Sequence, residues 1–194
     1  MTVFSSPQFL WRGPRTLDYA TTTIATLGPS GTSSEFAARH LTPRVELFNS
    51  YERAEEYALS FPRKAAFLVA NAYQHVNQFY ISCKAKPVAA FFLDTPPYVL
   101  ATRGIGIDQL PKPVRISSHR APAHLVGTLL QGASFTLVEA YSTSEAARMV
   151  ADAEADACLT TQLACDRENL QVQKTSGTIP MLWTLFASSE GDAQ

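Results

Sequence analysis

The stretch Thr26-Leu27-Gly28-Pro29-Ser30-Gly31-Thr32-Ser33-Ser34-Glu35-Phe36-Ala37-Ala38 decides how the rest of the chain is read. An apolar, β-prone run from Thr23 to Leu27 is stopped by Gly28-Pro29 and again by Gly31. Thr32 then stands three residues before Glu35, the spacing of a capping box that opens a helix. A strand, a tight glycine loop and a capped helix leave unpaired backbone N–H groups beyond the carboxyl end of the strand. Together with the helix dipole they favour an anion, and Thr32, Ser33 and Ser34 add hydroxyls within reach of it. The loop has neither the lysine of a P-loop nor the third glycine of a dinucleotide fingerprint, so it is no nucleotide signature. An ordinary βα turn whose hydroxyls cap the helix explains the same residues, and the local pattern leaves both readings open.

Working outward, strand and helix alternate. Strands are predicted at 23–27, 45–48 and 65–70, with helices at 33–41 and 51–60, the second opening at Ser50. Such alternation with short connections implies right-handed βαβ units and a parallel sheet. Past Ala70 the polar Asn71 and Tyr73 follow a buried strand directly, where α/β proteins place ligands. Val76, Phe79 and Tyr80 carry helical spacing and read as core-facing. Extended runs at 88–93 and 98–102 flank Asp94-Thr95-Pro96-Pro97, whose prolines cannot sit in a central strand. That bend reads as a crossing between lobes, and Arg103 just beyond it could grip a carboxylate bidentately.

A second alternating block follows, with strands at 114–117, 135–138, 157–159 and 170–172. A helix led by Pro122 presents Leu125, Val126, Leu129 and Leu130, and another is predicted at 161–168. Ser142-Thr143-Ser144-Glu145 repeats the capping-box logic. A last extended run at 181–187 crosses back to the first lobe. The predicted layout is a loosely held extension at 1–22, one lobe at about 23–97 plus 179–187, a second at about 98–178, and a tail at 188–194.

Composition narrows the function. A net charge of −1, with scattered lysine and arginine, argues against nucleic acid or an anionic membrane as partner. Three cysteines without metal-ligand spacing read as reduced thiols of a cytoplasmic protein. No apolar run approaches the ~20 residues of a membrane span, and residues 1–22 have no continuous apolar signal segment. The four histidines, at 40, 75, 119 and 124, lack a metal spacing, so no metal is expected. The residues alone describe an α/β protein of two lobes, each offering a hydroxyl-rich helix start to a cleft that closes on a small dianion.

Leu27-Gly28-Pro29, Gly31-Thr32 and Ser34-Glu35 resemble the opening motif of prephenate dehydratases, and Ser142 to Ala147 and Ser118-His119 resemble later stretches of that family. Two departures stand out. Ala70-Asn71-Ala72-Tyr73 replaces the family's Glu-Asn-Ser, and Thr184-Leu185-Phe186 replaces its Thr-Arg-Phe. Gly31 to Glu35, Ala72-Tyr73, Phe79-Tyr80, Asp94-Thr95-Pro96, Tyr98, Arg103 and Ile179-Pro180-Met181 with Trp183 are more similar to the non-aromatising prephenate decarboxylases of antibiotic pathways such as that of bacilysin.

The resemblance implies a type 2 periplasmic-binding-protein fold with the active site between lobes, a homodimer, and decarboxylation of prephenate with no metal or organic cofactor. Carried over by position, Thr32, Ser33 and Ser34 hold a carboxylate, Asn71 and Tyr73 shape the ring site, and Arg103 and Ser118 add substrate contacts. Thr184 takes the catalytic threonine position, His119 is a proton-donor candidate, and Leu185 makes the cleft less polar where the dehydratases carry arginine. An aromatising dehydratase and a non-catalytic module that binds an aromatic acid are the competing expectations.

Overall fold

A computed structural model describes residues 4–13 and 17–189, and in it the apolar pattern folds into two sheets, one in each of two units. The first unit takes the chain up to Gly28, Ser33–Thr95, and from Pro180 onward; the second takes Pro29–Thr32 and Pro96–Ile179.

The first unit contains β1 (Gln8–Arg12), β2 (Thr23–Leu27), α1 (Ser33–Arg39), β3 (Val45–Phe48), α2 (Tyr51–Ser60), β4 (Ala65–Ala70), α3 (Asn77–Ile81) and β5 (Ala85–Phe92). The second contains β6 (Tyr98–Thr102), a 3-10 turn (Ile107–Gln109), β7 (Val114–His119), α4 (His124–Leu130), β8 (Phe135–Ala140), α5 (Thr143–Ala151), β9 (Ala157–Thr161), α6 (Gln162–Arg167) and β10 (Gln171–Gly177). The final strand, β11 (Leu182–Ser188), rejoins the first sheet.

That sheet runs β1-β5-β11-β4-β2-β3. β2 pairs parallel with β3 and β4, but β11 is antiparallel to both β4 and β5, and β1 is antiparallel to β5. The sheet is therefore mixed, not parallel. βαβ handedness constrains only strands joined by a crossover, and β11 re-enters from a different unit. β4 is apolar along nearly its whole length because both faces are covered. Ala66 and Leu68 pack with Ile24, Ala37, Trp183 and Leu185, while Phe67 and Val69 pack with Tyr51, Ala54, Phe79 and Phe186. Ser50 caps α2 by accepting from the Arg53 N–H at 3.2 Å.

The segment expected to be a loose extension instead contributes an edge strand. β1 pairs with β5 and covers its outer backbone, the Phe9 ring packs tilted against Phe91 with centroids 5.4 Å apart, and Leu17 enters the core. Pro14 and Arg15 of that segment lie outside the described residues, as does the expected tail from Glu190 onward; Ser188 still belongs to β11.

The second sheet runs β10-β6-β9-β7-β8, with β7 parallel to β8 and β9 and β6 antiparallel to β9 and β10. Leu100, Ile116, Val126 and Leu159 fill one face, and Val99, Ala146, Ala147, Val150 and Cys158 fill the other. Among the described residues no helix is long and apolar enough to cross a membrane.

Candidate active site

Because β2, β3 and β4 run parallel, their carboxyl ends share one edge of the first sheet, and α1 and α2 begin there. Ser34, in the first turn of α1, hydrogen-bonds the Tyr51 hydroxyl at 2.7 Å. The same phenol oxygen accepts from the Ala70 N–H at 3.4 Å. One tyrosine thereby ties the starts of two helices to the end of β4. Since β11 runs antiparallel to β4, its beginning lies at this edge too: the Asn71 N–H donates to the Leu182 carbonyl at 2.9 Å. Thr184 Oγ1 donates to Asn71 Oδ1 at 2.8 Å, and the Tyr80 hydroxyl lies 2.9 Å from Thr184 Oγ1.

The Tyr73 ring packs tilted against Tyr51, with centroids 4.9 Å apart, and its hydroxyl donates to Glu52 Oε1 at 2.8 Å; Gln78 Nε2 donates to the same oxygen. Burial raises the Glu52 carboxyl, but hydrogen bonds from Tyr73, its own backbone, Gln78 and Ser50 outweigh this and hold it below the usual range. Burial, with the bond to Glu52, pushes the Tyr73 phenol up to about 12, so it stays a neutral donor. Ser34, Asn71, Tyr73 and Thr184 are thus brought to one edge. The Tyr73 phenol is engaged by Glu52 rather than projecting alone, and Thr184 is 2% exposed with its hydroxyl directed at Asn71.

The second unit has its own polar edge, where the carboxyl ends of β7, β8 and β9 meet the helix starts of α5 and α6. Ser142 caps α5 by accepting from the Glu145 N–H at 3.0 Å, and the Glu145 carboxylate reaches back to the Tyr141 N–H. Thr161 caps α6. The same two helix starts hold the glycine loop: Ser144 Oγ donates to the Ser30 carbonyl at 2.8 Å and Thr161 Oγ1 to the Gly31 carbonyl at 2.9 Å. Gly31 has φ +95°, which favours glycine, and a Cβ there would lie 2.9 Å from Ser144 Oγ and displace that hydroxyl. Thr32 belongs to this unit and is buried, while half-buried Ser33 and buried Ser34 belong to the first.

Ser118 and His119 end β7 at the same edge. Ser118 Oγ donates to the His119 carbonyl at 2.9 Å, and His119 Nδ1 accepts from the Ala121 N–H at 3.4 Å. Burial lowers the His119 pKa, partly offset by the nearby Glu139 carboxylate. The imidazole is therefore neutral at pH 7, and with Nδ1 accepting, its proton sits on Nε2. In that tautomer Nε2 is the ring nitrogen that can donate. Burial also raises both core thiols, Cys165 to about 11, which leaves neither as a nucleophilic thiolate.

Two of the expected residues are not brought to these edges. Arg103 is exposed just past the carboxyl end of β6. β6 is antiparallel to β9, with Tyr98 opposite Thr161 and Thr102 opposite Ala157, so Arg103 lies at the far end of the sheet from Thr161 and Gly31. Five residues of strand span roughly 17 Å, beyond the reach of one side chain. Leu185 does not line the edge either. It is 0% exposed and packs among Ile24, Leu68, Ala89 and Trp183, on the opposite face of β11 from Thr184. Adjacent strand residues point to opposite faces, and β11 is regular across this pair where it meets β4. Sequence reasoning missed Tyr51, Glu52 and Tyr80. For the first two the available signal was their position directly after the Ser50 cap, at a helix start on the ligand-facing edge.

The fold has known counterparts. A prephenate dehydratase from Arthrobacter aurescens superposes with TM-score 0.69 at 18% identity over 86% of this chain, which spans 60% of that one. A dehydratase from Staphylococcus aureus gives 0.66 at 12% over 88% of this chain and 68% of its own, and a periplasmic substrate-binding protein from Coxiella burnetii gives 0.54 at 14%, covering 84% of each. At these identities the likeness establishes the fold alone: a prephenate dehydratase-like, periplasmic-binding-protein-like α/β fold. No protein-family model matches the chain. Sequence relatives define the family more narrowly. A prephenate decarboxylase from Bacillus amyloliquefaciens is 36% identical over 182 residues, 87% of each chain. Another from Bacillus subtilis (strain 168) is 35% identical over 184 residues, 88% of each, and one from Planktothrix agardhii is 31% identical over 87% of this chain and 89% of its own. The chain belongs to the prephenate decarboxylase family.

Proposed function

We propose that this protein decarboxylates prephenate without aromatising it. The carrying observation is the 36% identity over 87% of the chain to a prephenate decarboxylase. The hydroxyl- and amide-rich edge of the first unit supports it, because neutral donors and backbone N–H groups can hold a carboxylate.

In the reaction the bond from the quaternary ring carbon to its carboxylate breaks and carbon dioxide leaves. The electron pair enters the ring, the double bonds shift, and a proton drawn from water adds to the terminal ring carbon of the unsaturated system. The ring hydroxyl stays. The start of α1, with Ser34, holds the pyruvyl carboxylate, while Asn71 meets the ring end of the substrate. A ring carboxylate placed against drier surface is lost more readily once its partner is anchored. Ser118 and neutral His119 supply donors in the second unit. The ring unsaturation accepts the electron pair, so the reaction calls on no metal or organic cofactor. The protein works as a cytoplasmic enzyme of antibiotic or other secondary-metabolite synthesis.

Incubation with prephenate, followed by ultraviolet absorbance and released carbon dioxide, tests the reading. A non-aromatic dihydro-hydroxyphenylpyruvate is expected; phenylpyruvate would mean a dehydratase, and unchanged prephenate a binding module.

A further inference from the structure

We infer that Tyr80 is a positioning residue that fixes the direction of a hydrogen-bond chain, Tyr80 to Thr184 to Asn71, so that the Asn71 side chain presents its N–H pair to the ligand. The inference rests on the prephenate reading for the identity of that ligand.

The direction follows from counting protons. Thr184 Oγ1 lies 2.8 Å from Asn71 Oδ1, a carbonyl oxygen that can only accept. The single hydroxyl proton of Thr184 is therefore used there. The Tyr80 hydroxyl, 2.9 Å from the same Thr184 oxygen, must then be the donor in that contact. With Oδ1 accepting from Thr184 on β11, both donors of the Asn71 amide are on Nδ2, a pair that suits a carboxylate or a ring hydroxyl oxygen. Tyr80 is held for this task. Its ring meets Phe186 edge-on at 4.9 Å, and Phe186 and Thr184 lie two residues apart on one face of β11. The Asn71 backbone is fixed by its bond to the Leu182 carbonyl. Thr184, 2% exposed and engaged on both sides, then acts through Asn71. Helical spacing made Tyr80 look like a core residue, yet it is 42% exposed, with its hydroxyl turned onto the strand.

Four variants test the chain through kcat and KM for prephenate. Tyr80→Phe keeps the ring against Phe186 and removes only the O–H; kcat/KM should fall about fivefold to tenfold with little change in Tm. Thr184→Val should lose as much or more, and Thr184→Ser should recover most of that loss. Asn71→Asp keeps the acceptor for Thr184 but has no N–H to offer, so a fall of about 100-fold or more is expected. Adding Tyr80→Phe to Asn71→Asp should cost little more, because both break one chain. If Asn71→Asp stays within threefold of wild type, or Tyr80→Phe changes Tm but not kcat/KM, the inference is overturned. Wild type inert towards prephenate would instead overturn the functional reading. The chain is then judged by side-chain amide NMR. An Asn71 NH2 group that exchanges freely with solvent supports the stated direction, and one N–H protected by Thr184 refutes it.

Discussion

Placing arginine at position 185 asks whether the residue that differs from the dehydratases touches the chemistry. Leu185 is 0% exposed, packed among Ile24, Leu68, Ala89 and Trp183, with β4 and β5 on either side. Truncation in Leu185→Ala removes buried methyl groups and leaves a cavity, costing about 2–5 kcal/mol. For a chain of this size each kcal/mol moves Tm by about 2–4 °C, so a drop of about 4–20 °C is expected. Leu185→Arg does worse. It loses the leucine packing, about 1.5–3 kcal/mol, and places an unpaired charge among apolar side chains at a further cost of about 3–5 kcal/mol. The sum consumes much of the 5–15 kcal/mol typical of folded proteins. Leu185→Arg should therefore be insoluble or unfolded, while Leu185→Ala should keep kcat/KM within about threefold per folded molecule. Thermal denaturation by circular dichroism, paired with prephenate kinetics on the soluble fraction, makes the measurement. A soluble Leu185→Arg protein with wild-type Tm and a changed product would show that this side chain faces the ligand and that the packing argument is wrong.

Other perturbations address the two polar edges. Ser34→Ala should raise KM for prephenate about tenfold or more, the worth of a charge-assisted hydrogen bond; Tyr51→Phe, which removes Ser34's partner, should raise it less, and a lowered Tm with unchanged KM in both would make Ser34 a purely structural residue. Gly31→Ala should lower Tm by about 2–12 °C through its positive φ and its clash with Ser144, and adding Ser144→Ala should restore part of that loss, read by the same melts. His119 has a folded-state pKa below its ordinary value of about 6.5, so the unfolded chain binds the proton more readily. Its contribution to stability is complete above about pH 6.5 and declines as pH falls from there through the folded-state pKa. Urea midpoints across that window should flatten in His119→Gln and steepen in Glu139→Gln; identical profiles in all three proteins would refute the burial argument.

Much of the fold is legible in the chain because it is local. The strands at 23–27, 45–48 and 65–70 and the helix opening at Ser50 appear where apolar period and capping chemistry put them. The Ser142 cap forms as its spacing predicts. Gly31 is legible as a turn residue, since its backbone conformation is a property of the residue itself. What the sequence left undetermined depends on residues far apart along it. Tyr80 and Thr184, 104 residues apart in sequence, carry no local mark of their contact, and neither do Asn71 and Thr184, 113 apart. The same holds for Phe9 pairing β1 onto β5, a backbone edge whose availability no nearby residue announces. Position also sets two residues that residue type alone had favoured apart from the polar edges. Arg103 fell at the wrong end of an antiparallel strand, and Leu185 on the buried face of β11. Side-chain chemistry is fixed by the residue, but its direction is set by strand order, register and the alternation of faces, which exist only once the sheet has formed.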